Sequence, residues 1–427
     1  NIPVVSRRIF PSISLFRVFS MDRENYRQRR NFIIELGKAL HKFGTPAFRL
    51  EAHLHNVTQS LGLEGHFMVS PTLISFVLWD LEHDEKHNYH VRVKPGELDM
   101  RALALTDQLV DEVTTDKLSV ADALISLNDI HSLQAPYGKY TTMAAFGTTS
   151  GAFSMLVGGS WADAGVSSLT GIIVFFFLCW VAEADRRGEI LEPMSATLSA
   201  LFASFMAYFV PSLNVPLIVL SGIIVFIPGL SITIALKELA ARHLLSGTTR
   251  LMDSLMCLCK LYFGSVLGSS IVNIFLPRED VVFGPAVPDW TLWLAVPILS
   301  LTLIVVFKNR VRDIPWGVLS AIVAYVGSVA GAAYLGDSVG PFVGAVLVGI
   351  YSNIYSRVTN SPSTIVLLHG VVLLVPGSKA YISLSQVVTG DAFMNLPMLG
   401  TQAFMIFMSI LAGLIFANMV FPSRKTL

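Results

Sequence analysis

Gly222-Ile-Ile-Val-Phe-Ile-Pro228-Gly229 recurs later in the chain as Gly370-Val-Val-Leu-Leu-Val-Pro376-Gly377, an offset of 148 positions (228 to 376). The same offset carries Pro193 onto Pro341 and lays the surrounding apolar stretches on one another without a gap. A repeat of this length and composition predicts two homologous units, each a set of apolar helices. Within each unit the Pro-Gly pair interrupts an apolar run. Proline removes an amide donor and clashes with the preceding turn, so each pair predicts a broken helix.

Outward from the two breaks, ten stretches are apolar enough to predict membrane spans of about 20 residues. They run 140–157, 164–181, 193–210, 213–232, 251–275, 290–307, 315–335, 339–355, 363–384 and 398–420. Five spans per unit is an odd number, so the second unit must enter the bilayer from the opposite face. The expected fold is therefore an α-helical polytopic membrane protein, with about ten transmembrane helices in two inverted five-helix repeats at 139–276 and 286–421. Inverted repeats are a hallmark of secondary transporters, because one architecture can then present an inward-open and an outward-open form.

Composition agrees with that class. Of 427 residues 53% are hydrophobic and 14% charged, and 30 acidic side chains balance 30 basic ones. No net field draws the chain to nucleic acid. Lys and Arg are asymmetric across the loops. One side holds Arg186, Arg187, Lys237, Arg242, Arg250, Lys308, Arg310, Arg312, Arg357, Arg424 and Lys425, and the other only Arg278 and Lys379. That bias puts the region before the first span, and both termini, in the cytoplasm. Either a plasma membrane or an organelle membrane fits.

Residues 23–138 read as a cytoplasmic α+β domain behind an extension at 1–22 that has no continuous apolar core, so neither a signal peptide nor an anchor is expected there. Phe32, Ile33, Leu36, Leu40 and Phe43, then Leu50, Leu54, Val57 and Leu61, recur at helical spacing. Between them Thr45-Pro46 predicts an N-cap followed by the first helical residue. His66–Trp79 and Tyr89–Val93 alternate like strands, and helical period returns over 98–113 and 120–133. No nucleophile elbow, phosphate loop or metal-ligand spacing is present. Glu51, His53 and His55 read as surface residues. Cys179, Cys257 and Cys259 read as packing residues rather than a disulfide or metal set.

The candidate site lies at the breaks. A helix restarting after Pro228-Gly229 or Pro376-Gly377 presents free amides to an anion. The expected substrate-binding residues are Pro228, Gly229, Ser231, Pro376, Gly377, Ser378 and Lys379, with a carboxylate docked among them. Three titratable groups are candidates for coupling or gating. His369 lies inside a span, where an ionisable group is a functional candidate, and its repeat mate is Ser221. Asp163 follows Gly158-Gly159-Ser160-Trp161 and reads either as a coupling group or as a helix cap. Glu238 reads as a solvated face or an ion pair at a cytoplasmic gate. Asp253 and Lys260, seven apart, share a helix face, with pairing between them left open. Gly147/Gly151, Gly264/Gly268, Gly327/Gly331 and Gly340/Gly344 predict close helix approaches. Asn273, Asn353 and Asn418 read as amides that bridge helices, ahead of the alternative that they line the path.

Phe32-Ile-Ile-Glu-Leu-Gly-Lys-Ala-Leu40 with Phe43-Gly-Thr-Pro-Ala-Phe-Arg-Leu-Glu51, Gly158-Gly-Ser-Trp-Ala-Asp163, Ile227-Pro-Gly229 and Ser246-Gly-Thr-Thr-Arg250-Leu resemble the threonine/serine exporter family, which includes the fungal pheromone-regulated membrane proteins. The resemblance runs from about residue 29 to the end of the spans. It implies export of L-threonine and L-serine driven by a proton gradient. The expected partners are thus a small amino acid, protons and the lipid bilayer, with homo-oligomer assembly left open; no cofactor, metal or nucleic acid is expected. Two rivals to a transporter are a membrane-anchored enzyme or regulator with its site in 23–135, and a channel or scaffold.

Overall fold

The computed structural model describes residues 23–80, 87–94, 96, 98–183, 190–276, 283–375, 377, 381, 396–423 and 425. Helices α1 (Arg23–Lys42) and α2 (Ala47–Ser60) precede strands β1 (Leu63–Val69), β2 (Leu73–Asp80) and β3 (His87–Arg92), then α3 (Met100–Thr114) and α4 (Val120–His131). The strands form one antiparallel sheet in the order β1-β2-β3, with Leu63 opposite Asp80 and Leu73 opposite Arg92. The stretch expected as one strand from His66 to Trp79 is two. Pro71 sits at the turn, where the Ser70 amide donates to the Leu73 carbonyl at 2.8 Å, and proline cannot continue a central ladder.

Phe32, Ile33, Leu36 and Leu40 of α1, Leu50 and Leu54 of α2 and Phe76 and Leu78 of β2 are buried together. That core does not end with the α/β segment. It runs on into Leu299, Leu303 and Phe307 and into Ile365, Val366 and Leu368. At 25 cal/mol per Å² of apolar area, such continuity makes the segment's docking part of the same burial that folds it.

From Lys139 onward the chain is helical: α5 (Lys139–Leu156), α6 (Trp161–Glu183), α7 (Leu191–Phe209), α8 (Val215–Gly222), α9 (Gly229–Ala240), α10 (Leu244–Phe275), α11 (Leu292–Val306), α12 (Ile314–Leu335), α13 (Gly340–Thr359), α14 (Thr364–Leu374) and α15 (Leu396–Val420). Each of the ten apolar stretches carries helix. Among the described residues five helices are long and apolar enough to cross a membrane, or six when the bent pair α8 and α9 counts as one. Helices α5, α7 and α13 fall short because Ser, Thr, Gly and Asn replace large apolar side chains along them. Those small residues serve packing. Gly264 and Gly268 of α10 lie against the backbone of Pro193 and Thr197 in α7, and Gly327 and Gly331 of α12 face Gly344 and Gly340 of α13. Asn353 donates to Asn418 Oδ1 at 3.0 Å, bridging α13 and α15; Asn273 has no such bridge among the hydrogen bonds shown by the described residues.

Shifting α7 by 148 positions brings it to 339–357, over α13, and α8 shifts to 363–370, over α14. The segments beyond the breaks cross between the halves. Helix α9 packs on α15 and α14, while Tyr381, beyond the second break, donates its hydroxyl to Ser265 Oγ of α10 at 2.6 Å.

Candidate functional site

Helix α8 opens on Asn214, whose side chain accepts from the Leu217 amide at 3.2 Å, and it closes after only eight residues at Gly222. A single 3-10 turn, Ile224–Phe226, follows. Pro228 then ends the run, and α9 restarts at Gly229 on an axis bent by 56°. No side chain caps the α9 start; the Gly229 amide donates to the Ile227 carbonyl at 2.8 Å, and the amides of Leu230 and Ser231 with the positive dipole end are left for a ligand. The second break is described in part. Helix α14 ends at Leu374, Val375 is extended, and Gly377 is again helical.

The two breaks touch. A side chain on Gly229 would meet Val375 Cγ1 at 2.6 Å and the Gly377 Cα at 3.2 Å, and one on Gly377 would meet the Gly229 Cα at 3.3 Å. Glycine at both positions is what lets the two broken helices cross at backbone distance.

A cavity of about 570 Å³ opens at this crossing. That volume is typical of small-molecule sites. Pro228, Gly229, Leu230 and Ser231 line it from the first break, and Val375 and Gly377 from the second. Pro376, Ser378 and Lys379 lie outside the described residues. Phe153, Phe226, Leu299, Leu303 and Phe307 provide apolar walls, and Gly44, Gly96 and Leu98 of the α/β segment close one side. The polar side of this cavity is formed by Glu192 of α7 and by Arg250, Asp253, Ser254, Cys257 and Lys260 along one face of α10; the sequence places Asp253 and Lys260 on one face but assigns none of these to the site. Lys260 pairs with Glu192 at 3.3 Å rather than with Asp253. The spacing of those four-apart and three-apart residues was the available signal, but charges near a span end read equally well as interfacial.

The three coupling candidates do not line the cavity. Asp163 is buried and acts as a cap: its Oδ2 accepts from the Ser160 amide at 2.9 Å and Oγ at 2.8 Å, and its Oδ1 accepts from the Asn214 amide at 2.8 Å. It ties the start of α6 to the start of α8. Glu238, expected to be a solvated face or an ion pair, is fully buried; its ion pair is with Arg250 at 3.4 Å. Its other contacts were not foreseen. Oε1 accepts from the Ala47 amide at 2.9 Å and Oε2 from Ser246 Oγ at 2.8 Å. His369 is buried with neither ring nitrogen hydrogen-bonded among the described residues, and its ring packs edge-on against Phe307, 5.7 Å between centroids.

Glu238 replaces the cap expected from Thr45. The N-cap residue of α2 is Pro46, which supplies no side-chain acceptor, and a carboxylate is the strongest acceptor for amides at a helix start. Around it α2 grips both broken helices. Arg49 donates to Thr364 Oγ1 at the head of α14, Lys237 of α9 lies over the Phe48 ring at 5.2 Å, and Glu51 faces His243 at 3.3 Å. Burial lowers the Arg49 guanidinium to about 10, so it stays charged at neutral pH. Burial also raises the Glu51 carboxyl, against the opposing pull of the Val69 amide and His243. Glu51 and His53 are thus interface and core residues rather than the surface residues expected, His53 being buried.

Residues 31–272 match the ThrE family model, a threonine/serine exporter family, and residues 292–420 match ThrE_2, described as Threonine/Serine exporter, ThrE. The chain belongs to the threonine/serine exporter family. The first match contains most of the α/β segment, the first break and most of α10, and the second contains α14 and α15. Among relatives of this exporter family, an uncharacterized protein of Schizosaccharomyces pombe is 24% identical over 367 residues, covering 83% of this chain and 44% of the relative. Pheromone-regulated membrane protein 10 of Candida albicans is 24% identical over 377 residues, covering 85% of this chain and 34% of its own length. The same-named protein of Yarrowia lipolytica is 24% identical over 367 residues, covering 83% and 30%. The chain thus spans less than half the length of these relatives. No solved structure matches it.

Proposed function

We propose that the chain is a secondary active transporter exporting small polar amino acids of the threonine and serine kind, by alternating access between two inverted five-helix repeats. The observation that carries this reading is the shared cavity, about 570 Å³, lined by residues of both interrupted helices. An uncapped helix start holds a carboxylate without needing a dedicated cation, and broken helices in a bilayer are tolerated where they line such a cavity. The crossed packing of α9 on the second half and Tyr381 on the first favours a pseudo-two-fold relation between the units. In this reading there are ten spans, both termini are cytoplasmic, and the α/β segment gates the cytoplasmic side, with Gly44 and Leu98 as part of the closure.

The substrate carboxylate docks at Gly229–Ser231, and in the opposite state at the start of the segment beyond Pro376. Protons travel in exchange. Of the three coupling candidates, His369 keeps that role, because it is a buried titratable ring that rests on Phe307, a wall of the cavity; Asp163 and Glu238 hold helices together. The test is counterflow of labelled threonine and serine in vesicles reconstituted with the full chain, with and without a pH gradient. Accumulation that the gradient accelerates is the expected result. Vesicles that exchange neither amino acid would remove the proposal.

A further inference from the structure

Arg49 and Lys237 meet where the α/β segment sits on the two interrupted helices, and neither has a carboxylate. Arg49 of α2 donates to Thr364 Oγ1 at the head of α14, and the Lys237 ammonium of α9 lies 5.2 Å from the ring centroid of Phe48, the residue before Arg49. Among the described residues no acid bears on Arg49, and the one charge that bears on Lys237 is Arg49 itself, of the same sign. The nearby acids are already engaged. Glu238 serves Ala47, Ser246 and Arg250, Glu51 serves the Val69 amide and His243, and Asp313 serves Arg310 and Tyr355.

Two like charges in a part-buried junction repel one another and lose hydration, a cost that a bound anion offsets. The head of α14 adds to the same positive potential. Ser363, its N-cap residue, makes no side-chain cap; its hydroxyl is buried, 1% exposed, and has no hydrogen-bond partner among the described residues. That idle donor adjoins Thr364, which Arg49 already holds. A guanidinium fork, an ammonium, a spare hydroxyl and a positive helix end are the groups that recognise a phosphate. In the proposed topology Lys237 is cytoplasmic and the apolar stretch of α14 begins at 363, so the junction lies at the depth of the anionic headgroups of that leaflet.

We infer that Arg49, Lys237 and the head of α14 form a binding site for a phosphate group, carried by a lipid headgroup or free in solution, which ties the α/β segment to both interrupted helices. The site is separate from the cavity, since none of these residues lines it, and it does not depend on what the cavity carries. Occupied, it holds α2 down on α9 and α14 together.

The experiment titrates the delipidated full-length chain in detergent with dihexanoyl phosphatidic acid, inorganic phosphate and dihexanoyl phosphatidylcholine, reading the midpoint of thermal unfolding. Phosphatidic acid or phosphate raises the midpoint saturably, because a ligand of the folded state alone stabilises it, and phosphatidylcholine does not. Phosphatidic acid acting well below the concentration at which phosphate acts makes the source a lipid; equal or greater potency of phosphate makes it a soluble one. Arg49→Gln and Lys237→Gln each raise the half-saturating concentration by about tenfold or more, the worth of one charge-assisted contact, while Arg92→Gln at the exposed end of β3 changes nothing. No shift with either phosphate compound, an equal shift with phosphatidylcholine, or variants that titrate like the unaltered chain would overturn the assignment. A second measurement decides the matter without variants, should these not fold. Phosphatidic acid or phosphate slows acetylation of Lys237 in the unaltered protein, read by peptide mass, and leaves exposed Lys139 unaffected; equal slowing at both lysines, or at neither, also overturns it.

Discussion

Glu238 shows how one buried carboxylate can serve three elements. It accepts from the first amide of α2, from Ser246 at the start of α10 and from Arg250. Glu238→Ala strands a partly buried guanidinium and an amide together, so the detergent-solubilised protein should lose on the order of 2–3 kcal/mol of stability in thermal or denaturant unfolding. Two other residues set opposing pH slopes. Burial raises the Asp107 carboxyl from 3.8 to about 6, against its bonds to Lys425; the folded state then binds more protons than the unfolded one, and stability falls as pH rises through that window. Burial lowers the His53 imidazole from 6.5 to about 4. Here the folded state binds fewer protons, and stability is lost as pH falls from 6.5 towards 4. Asp107→Asn should therefore make stability rise more steeply with pH between 4 and 6, and His53→Gln less steeply, each by up to about 1.4 kcal/mol per pH unit in equilibrium unfolding.

At the scale of elements, the proposed site depends on the paired breaks. Gly229 and Gly377 are at backbone distance, and Gly229→Leu or Gly377→Leu forces the crossing apart. Counterflow by either variant should drop tenfold or more at unchanged protein level in the vesicles; full activity with a leucine at the crossing would dissociate the breaks from transport. His369→Gln should preserve exchange of threonine for threonine but remove its response to a pH gradient. The breaks were legible in the sequence because Pro-Gly has a backbone consequence wherever it falls and because it occurs twice at one offset. Asp163 was legible only as one of two readings, since a cap and a coupling group share the same residue type. The pairing of Lys260 with Glu192 was not legible, because 68 residues separate them and helix periodicity says nothing about which neighbour a face meets.

Across the whole molecule, the α/β segment and the helices share one core and a set of polar latches. Besides α2, the Met100 and Arg101 amides donate to the carbonyls of Phe307 and Lys308 at 3.1 and 3.2 Å, and Lys425 near the C-terminus is held by Asp107 and Asp111 of α3. Helical and strand periods predicted the elements of this segment well. Its docking was hidden, because the residues that make it, Arg49, Glu51 and Glu238, look in sequence like ordinary solvated charges. If the latch on α14 keeps the cavity covered, Arg49→Ala should speed labelling of Cys257 by a charged maleimide several-fold in right-side-in preparations, read by peptide mass, whereas an unchanged rate would show that the segment does not control access.

The cap that Glu238 lends to α2 comes from 191 residues further along the chain. At ribosomal rates of about 5–20 residues per second, α2 emerges roughly 10–40 s before its acceptor exists. During that interval the helix start lacks its acceptor, while Leu50 and Leu54 can already bury against α1 and β2. Final closure of the N-terminal third is thereby timed to insertion of the fourth apolar stretch, and a chain stalled before that point should remain sensitive to protease at residues 44–51.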